Sequence, residues 1–219
     1  MRFDIITIFP HMFDSYLNES MIKRAREKKL IGIRVHDLRN HAQDKHNKVD
    51  DRPYGGGPGM VLKVEPLARA ITAVPKKKKH MILLCSAAGR QFDASSAAAW
   101  AKKYDQIIII AGRYEGVDDR IKKIFKMQEV SIGPYVLTGG ELPAMVMIDA
   151  VVRHIAGFLG KEESLEENRF GVGTPSFTRP DMFEWKKKKY HVPKELLSGD
   201  HKKIMEWRMR AFHGKDTAE

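Results

Sequence analysis

Ile132-Gly133-Pro134-Tyr135-Val136-Leu137-Thr138-Gly139-Gly140-Glu141-Leu142-Pro143 is a glycine-punctuated loop that runs into the most apolar helical stretch of this 219-residue chain. Gly133, Gly139 and Gly140 let a ligand approach main-chain N–H and C=O groups directly, and Pro143 suits the first turn of a helix. One glycine pair alone fits a tight strand-to-helix connection equally well. Two further stretches add to it: Ser86-Ala87-Ala88-Gly89-Arg90 follows the apolar run Met81–Cys85, and Gly112-Arg113-Tyr114-Glu115-Gly116 follows Gln106–Ala111. The second run is apolar without alternation, as in a central strand covered on both faces. Alternating strands and helices predict an α/β fold with a mainly parallel sheet. Three glycine loops, each after a predicted strand, would then meet at one sheet edge, where such folds bind ligands.

Outward from these loops, residues 2–9 read as a short buried strand stopped by Pro10. Ser20–Lys29 reads as a helix with Ser20 as its N-cap, and Leu30–Leu38 as strand again. A polar stretch, Arg39–Arg52, leads into Pro53-Tyr54-Gly55-Gly56-Gly57-Pro58-Gly59-Met60, too rich in glycine and proline for regular structure. Loops this long inside compact domains are functional or disordered. His36, His41 and His46 recur every five residues, which matches no regular ligand geometry, so no metal site is predicted. Asp50, Asp51 and Arg52 offer two acceptors and a fork-shaped donor, either for a nucleobase edge or for a local salt bridge. Val64–Val74 has helical spacing, and Asp93 is placed to cap a helix over Ala94–Lys103.

Leu142–Phe158 is predicted as a helix apolar almost all round, covered by its own sheet or by a second subunit. Arg153 lies one turn from Asp149, either as its ion-pair partner or as an anion or oxyanion contact near the ligand loops. Lys161–Thr174 is the best domain boundary, giving a ligand-binding domain over 1–160, a linker over 161–176 and, over 177–219, a small basic helical lobe whose charge and aromatic residues fit RNA better than DNA. That lobe carries a short helix near Lys202–Phe212.

Lys and Arg number 39 against 28 Asp and Glu, a net charge of +11, which favours a polyanionic partner, nucleic acid before membrane. Residues 186–219 supply +5 of that. Cys85, the only cysteine, rules out an intrachain disulfide and sits in an apolar strand rather than in a nucleophile's setting. Neither a signal-peptide pattern nor a membrane-length apolar run occurs, so a cytoplasmic protein is expected. No Gly-x-Gly-x-x-Gly opens a helix after the first strand, which argues against a nicotinamide-dependent oxidoreductase.

Val49–Met60, Gly112–Gly116, Ser131–Gly133 and Tyr135–Met145, continued by Phe177-Thr178-Arg179-Pro180 and Leu196-Leu197-Ser198-Gly199-Asp200-His201, resemble the bacterial tRNA (guanine-N1)-methyltransferases of the TrmD family, in the SPOUT class. The resemblance covers nearly the whole chain. It implies an α/β fold whose C-terminal part is tied in a trefoil knot, a homodimer with shared sites, and S-adenosyl-L-methionine as methyl donor, with divalent magnesium a further candidate. It implies methylation of N1 of the tRNA guanine just 3′ of the anticodon, position 37. The methyl-donor pocket would be lined by Ser86, Ala87, Gly89, Gly112, Tyr114, Glu115, Gly116, Ile132, Gly133, Pro134, Tyr135, Val136, Leu137, Gly139 and Gly140. Asp50, Arg52 and Tyr54 would meet the target guanine, and Arg153 would stabilise charge on its O6.

Three departures accompany the resemblance. Asn168 stands where the family's general-base aspartate is expected, leaving Glu167 as the nearest carboxylate. The linker and C-terminal lobe look short, and Pro134 replaces an acidic residue. A non-catalytic RNA-binding relative of the same fold is therefore the alternative reading.

Overall fold

The computed structural model describes residues 1–159 and 173–213. The chain divides into two units, Met1–Phe158 and Leu159–Glu219. The first opens with strand β1 (Arg2–Thr7), a 3-10 turn at Pro10–Phe13, and helices α1 (Asp14–Leu17) and α2 (Ser20–Glu27). Strand β2 (Gly32–Asp37), a second 3-10 turn at Leu38–His41, the two-residue strands β3 (Asp50–Asp51) and β4 (Val61–Leu62), and helix α3 (Val64–Ala73) follow. The unit closes with β5 (His80–Gln91), α4 (Ala94–Lys103), β6 (Gln106–Ile110), α5 (Arg120–Ile124), β7 (Gln128–Ser131) and α6 (Glu141–Val152).

Five strands form one sheet in the order β2-β1-β6-β5-β7, and every pairing in it is parallel. The α/β fold with a mainly parallel sheet is therefore present. Successive side chains of a strand face opposite ways. In β6, Ile107 and Ile109 accordingly pack with α2, α4 and α6, while Ile108 and Ile110 pack with α3 and α5. All five residues of β6 are buried, which is why its sequence shows no alternation.

The expected cap at Asp93 is present: its carboxylate accepts the Ser96 N–H at 2.7 Å, and this bond holds its pKa down at about 2. Ser20 does not cap α2. It has a φ of +50°, and no side-chain cap hydrogen bond starts that helix. Helix α6 ends at Val152, six residues before the expected Phe158; the following turns include Gly157 at φ +80°. Strand β5 runs past Cys85, because after Ser86–Gly89 the chain pairs with β7 again at Arg90 and Gln91.

The second unit holds an antiparallel hairpin, β8 (Met182–Trp185) and β9 (Lys188–His191), then α7 (Lys194–Leu197) and α8 (His201–His213). The expected helix near Lys202–Phe212 is α8, while the expectation of a small helical lobe did not include this hairpin, whose aromatic residues favour strand. Phe177 meets Trp207 of α8 edge-on, with ring centroids 5.9 Å apart. Among the described residues, no helix is long and apolar enough to cross a membrane.

Candidate functional site

Because the sheet is parallel, the irregular stretch Ser86–Gly89 within β5 and the segments after β6 and β7 come together at one edge. There they enclose a cleft of about 450 Å³. Its lining includes Ser86 and Ala87 from the first loop, Gly112, Tyr114, Glu115 and Gly116 from the second, and Ile132, Gly133, Tyr135, Val136, Leu137, Gly139 and Gly140 from the third. Gly89 and Pro134 are not among the lining residues. A β-carbon at Gly89 would overlap the backbone N of Val130, so its missing side chain lets β5 rejoin β7.

At Gly140 the constraint is also packing. Its φ is −83°, open to any residue, but a β-carbon would lie 2.6 Å from the Ala111 Cα and 2.8 Å from the Gly112 N. Close approach of α6 to the end of β6 thus requires glycine, and the Gly140 N–H donates to the Gly112 carbonyl at 2.8 Å. Val136, 85% exposed, and Tyr135, 52% exposed, present apolar surface at the cleft.

A buried ion pair ties the loops together. The Glu141 carboxylate, inaccessible to solvent at the start of α6, accepts the Thr7 hydroxyl at 2.7 Å and the Arg113 Nε at 2.9 Å. Arg113 also donates to the Thr138 carbonyl at 3.2 Å and lies over the Phe9 ring, 4.6 Å from its centroid. The end of β1, the loop after β6 and the entry to α6 are joined in this way. Sequence reasoning quoted Arg113 and Glu141 within their motifs but gave them no role. Their only signal was a charged residue in each of two otherwise apolar or glycine-rich segments.

The loop carrying Asp50, Arg52 and Tyr54 is anchored to the cleft wall. The Glu115 N–H donates to the Met60 carbonyl at 3.0 Å, and the Leu62 N–H to the Gly116 carbonyl at 3.0 Å. Asp50 is half-buried, while Arg52 and Tyr54 are exposed, Tyr54 fully. Among the described residues the Arg52 guanidinium forms no ion pair. Tyr114, at φ +59°, has its phenol pushed up by burial and then by a hydrogen bond with Asp50. None of Asp50, Arg52 and Tyr54 lines the cleft itself.

Arg153 is the C-cap of α6, half-buried. Its backbone is 10 residues on from Pro143, the last cleft-lining residue of α6, which at 1.5 Å per residue puts it about 15 Å along the helix from the cleft. Asp149 accepts the Tyr16 hydroxyl at 2.6 Å, and burial, then this bond, raises the Tyr16 pKa. Glu167 and Asn168 lie outside the described residues.

The remaining cleft residues explain the local electrostatics. Lys122 bridges Asp119 and Glu129, the latter at 2.9 Å, and these bonds raise its pKa. Burial, then the nearby Glu141 carboxylate, pushes the Cys85 thiol far above its usual range, so it is no nucleophile. His36 is occupied at 2.9 Å from the buried Asp4. Among the described residues no group of three or more His, Cys, Asp or Glu could hold a metal ion.

Comparison with known proteins gives one answer. The family model described as tRNA (Guanine-1)-methyltransferase TrmD matches residues 1–218. A tRNA (guanine-N(1)-)-methyltransferase of Geobacter metallireducens is 50% identical over 214 residues, covering 96% of this chain and 85% of the relative. Proteins of the same name from Geobacter sulfurreducens and Dictyoglomus turgidum are 49% and 48% identical, covering 95% and 96% of this chain and 84% of each relative. On matches of that extent, over a sheet edge where three glycine loops enclose one cleft, the chain belongs to the tRNA (guanine-1)-methyltransferase family, TrmD.

Proposed function

We propose that this protein transfers a methyl group from S-adenosyl-L-methionine to N1 of guanine 37 in tRNA, acting in the cytoplasm as a homodimer with shared sites. The observation that carries the reading is the cleft: three loops meet at the carboxyl edge of a parallel sheet, in a family of tRNA methyltransferases. Its volume of about 450 Å³ suits a cofactor of this size, since small-molecule sites span roughly 300–1,000 Å³. Main chain without side-chain cover at Gly112, Gly116, Gly133 and Gly139 lets adenine and ribose approach closely, and Tyr135, Val136 and Leu137 offer apolar cover. Bound there, S-adenosyl-L-methionine supplies a methyl group already activated by its sulfonium.

The work left to the chain is alignment, proton removal and charge stabilisation. Guanine N1 is protonated at neutral pH and becomes nucleophilic as that proton leaves, while negative charge gathers on O6. Arg153 would stabilise that charge and Glu167 would take the proton, with Asn168 orienting the base. Asp50, Arg52 and Tyr54 would grip the guanine from the loop anchored beside Glu115.

The rise of about 15 Å along α6 between the Arg153 backbone and the cleft of its own chain supports sharing across a dimer, in which the arginine would serve the cleft of a second copy. Exposed apolar residues on the same side support it further: Leu142 and Val146 on α6, with Phe9, Met12 and Tyr16 around the neighbouring 3-10 turn. The knot expected of SPOUT proteins belongs to the same proposal, and the passage of the chain from edge strand β7 back to the centre of the sheet at Gly140 is consistent with it. The alternative of a non-catalytic relative rests on Asn168, and the methyltransferase name shared by relatives that cover nearly all of this chain weighs against it.

Methyl transfer from labelled donor to transcribed tRNA, with guanine or adenine at position 37 and with magnesium or a chelator, tests the proposal. Label is expected in the guanine transcript only. Donor binding and tRNA binding without transfer would overturn it in favour of the RNA-binding reading.

A further inference from the structure

The hairpin of the second unit has a composition and geometry that its own packing does not explain. Every residue from Asp181 to His191 is exposed. A two-stranded hairpin with both faces in water is marginally stable by itself. Yet this one places Phe183, Trp185 and Tyr190 on a single face, since Phe183 pairs with Tyr190 and Trp185 with Lys188 across the ladder. The Phe183 and Trp185 rings lie within 16° of parallel, with centroids 6.4 Å apart, and Lys188 sits over Tyr190 at 5.5 Å. These aromatics are 55%, 58% and 49% exposed among the described residues.

The turn points the same way. Lys186 and Lys187 are its two central residues, with φ of +49° and +64°. Two-residue hairpin turns with both central φ positive strongly favour Asn-Gly, because other side chains are strained there. Here lysine occupies both positions, and Lys188 and Lys189 continue the run. Four lysines against Glu184 alone give the hairpin a strongly positive tip.

An aromatic face beside clustered lysines is the chemistry of unpaired nucleic acid, in which bases stack on rings while cations hold the phosphates. We infer that residues 182–191 are a stacking platform for unpaired nucleotides of the RNA substrate, with Trp185 and Tyr190 taking bases and Lys186 and Lys187 contacting backbone phosphates. The inference rests on the tRNA reading above and adds to it a surface outside the methyl-donor cleft. A duplex would use only the lysines, since its bases are already stacked. The platform is therefore selective for loops over stems.

The test measures binding of the full-length protein to a transcribed anticodon stem-loop, and to a fully paired RNA of equal length, by filter binding across a salt series. Trp185→Ala is expected to weaken the stem-loop about tenfold or more, on the scale of one lost base stack, and to leave the paired RNA within about twofold. Lys186→Asn together with Lys187→Gly installs the favoured turn, so a folded hairpin is retained. That variant is expected to weaken both RNAs and to flatten the salt dependence by roughly 1.5 units of slope, the loss of two phosphate contacts.

Donor affinity, measured by calorimetry, should not change in either variant. Equal weakening of both RNAs by Trp185→Ala would refute stacking. Unchanged RNA affinity in both variants would refute the platform outright, and a change in oligomeric mass alone would mark the hairpin as a contact between copies. Methylation by the unaltered protein reports separately on the enzymatic reading, so failure of one leaves the other distinguishable.

Discussion

Replacing Glu141 by Gln isolates the ion pair that joins β1, the β6 loop and α6. The substitution keeps the shape of the side chain and removes only its charge. The amide oxygen can still face Arg113 and the amide nitrogen Thr7, so the hydrogen bonds survive in altered form. Arg113, whose side chain is 14% exposed, then keeps a charge with no carboxylate opposite it, in surroundings where water screens little. Breaking a buried pair by removing one partner costs roughly 3–5 kcal/mol, and with a hydrogen bond retained the lower end applies, about 3 kcal/mol. For a chain of this size that corresponds to about 6–12 °C in melting temperature.

Donor affinity should fall as well, because Arg113 holds the Thr138 carbonyl and a β-carbon on Gly139 would overlap Arg113. Thermal unfolding of the unliganded protein, followed by calorimetric titration with S-adenosyl-L-methionine, provides both numbers. A Gln variant that melts within about 2 °C of the parent and binds donor normally would refute the reasoning. The pair would then only offset its own desolvation, leaving the loops to be held by backbone contacts.

Gly140→Ala should lower the stability of the unliganded protein by about 1–3 kcal/mol through overpacking against Ala111 and Gly112, with donor affinity falling in step; lost affinity at unchanged stability would instead place the conflict in ligand space. Arg153→Ala should leave donor affinity within about twofold and cut single-turnover methylation by about 10²-fold or more; equal loss of both would assign Arg153 a structural role. Glu167→Gln should reduce the same rate by about 10²-fold, and Asn168→Asp should preserve or raise it; a silent Glu167→Gln would remove the proposed base. Burial alone would raise the Asp4 carboxyl, but hydrogen bonds from His36 and Gln106 and the charge of Arg2 hold it below its usual value. Its stabilising contribution is therefore complete above about pH 4 and is lost as pH falls through the lowered value. Urea midpoints measured between pH 2 and 7 should drop on the acid side, and less steeply for Asp4→Asn.

The sequence by itself determined the α/β architecture of the first unit and the three loops that meet at its cleft. Gln106–Ile110 could only be a strand covered on both faces, because an unbroken apolar run leaves no side for water, and Asp93 could cap α4 because capping needs only a local side-chain oxygen. The cleft loops were legible for a similar reason: glycine within a short span after a strand is a local signal. Tertiary structure alone decided which of those glycines face the cleft. Gly89 and Gly140 answer to neighbouring backbone far along the chain, Val130 for one and Ala111 for the other. It alone paired Arg113 with Glu141 across 28 residues, since opposite charges at that separation carry no periodicity that a sequence pattern could reveal. The hairpin at 182–191 lay between these cases. Its aromatic residues and lysines were visible, but that three rings share one face followed only from the strand register, which is set by the turn and by pairing rather than by either strand alone.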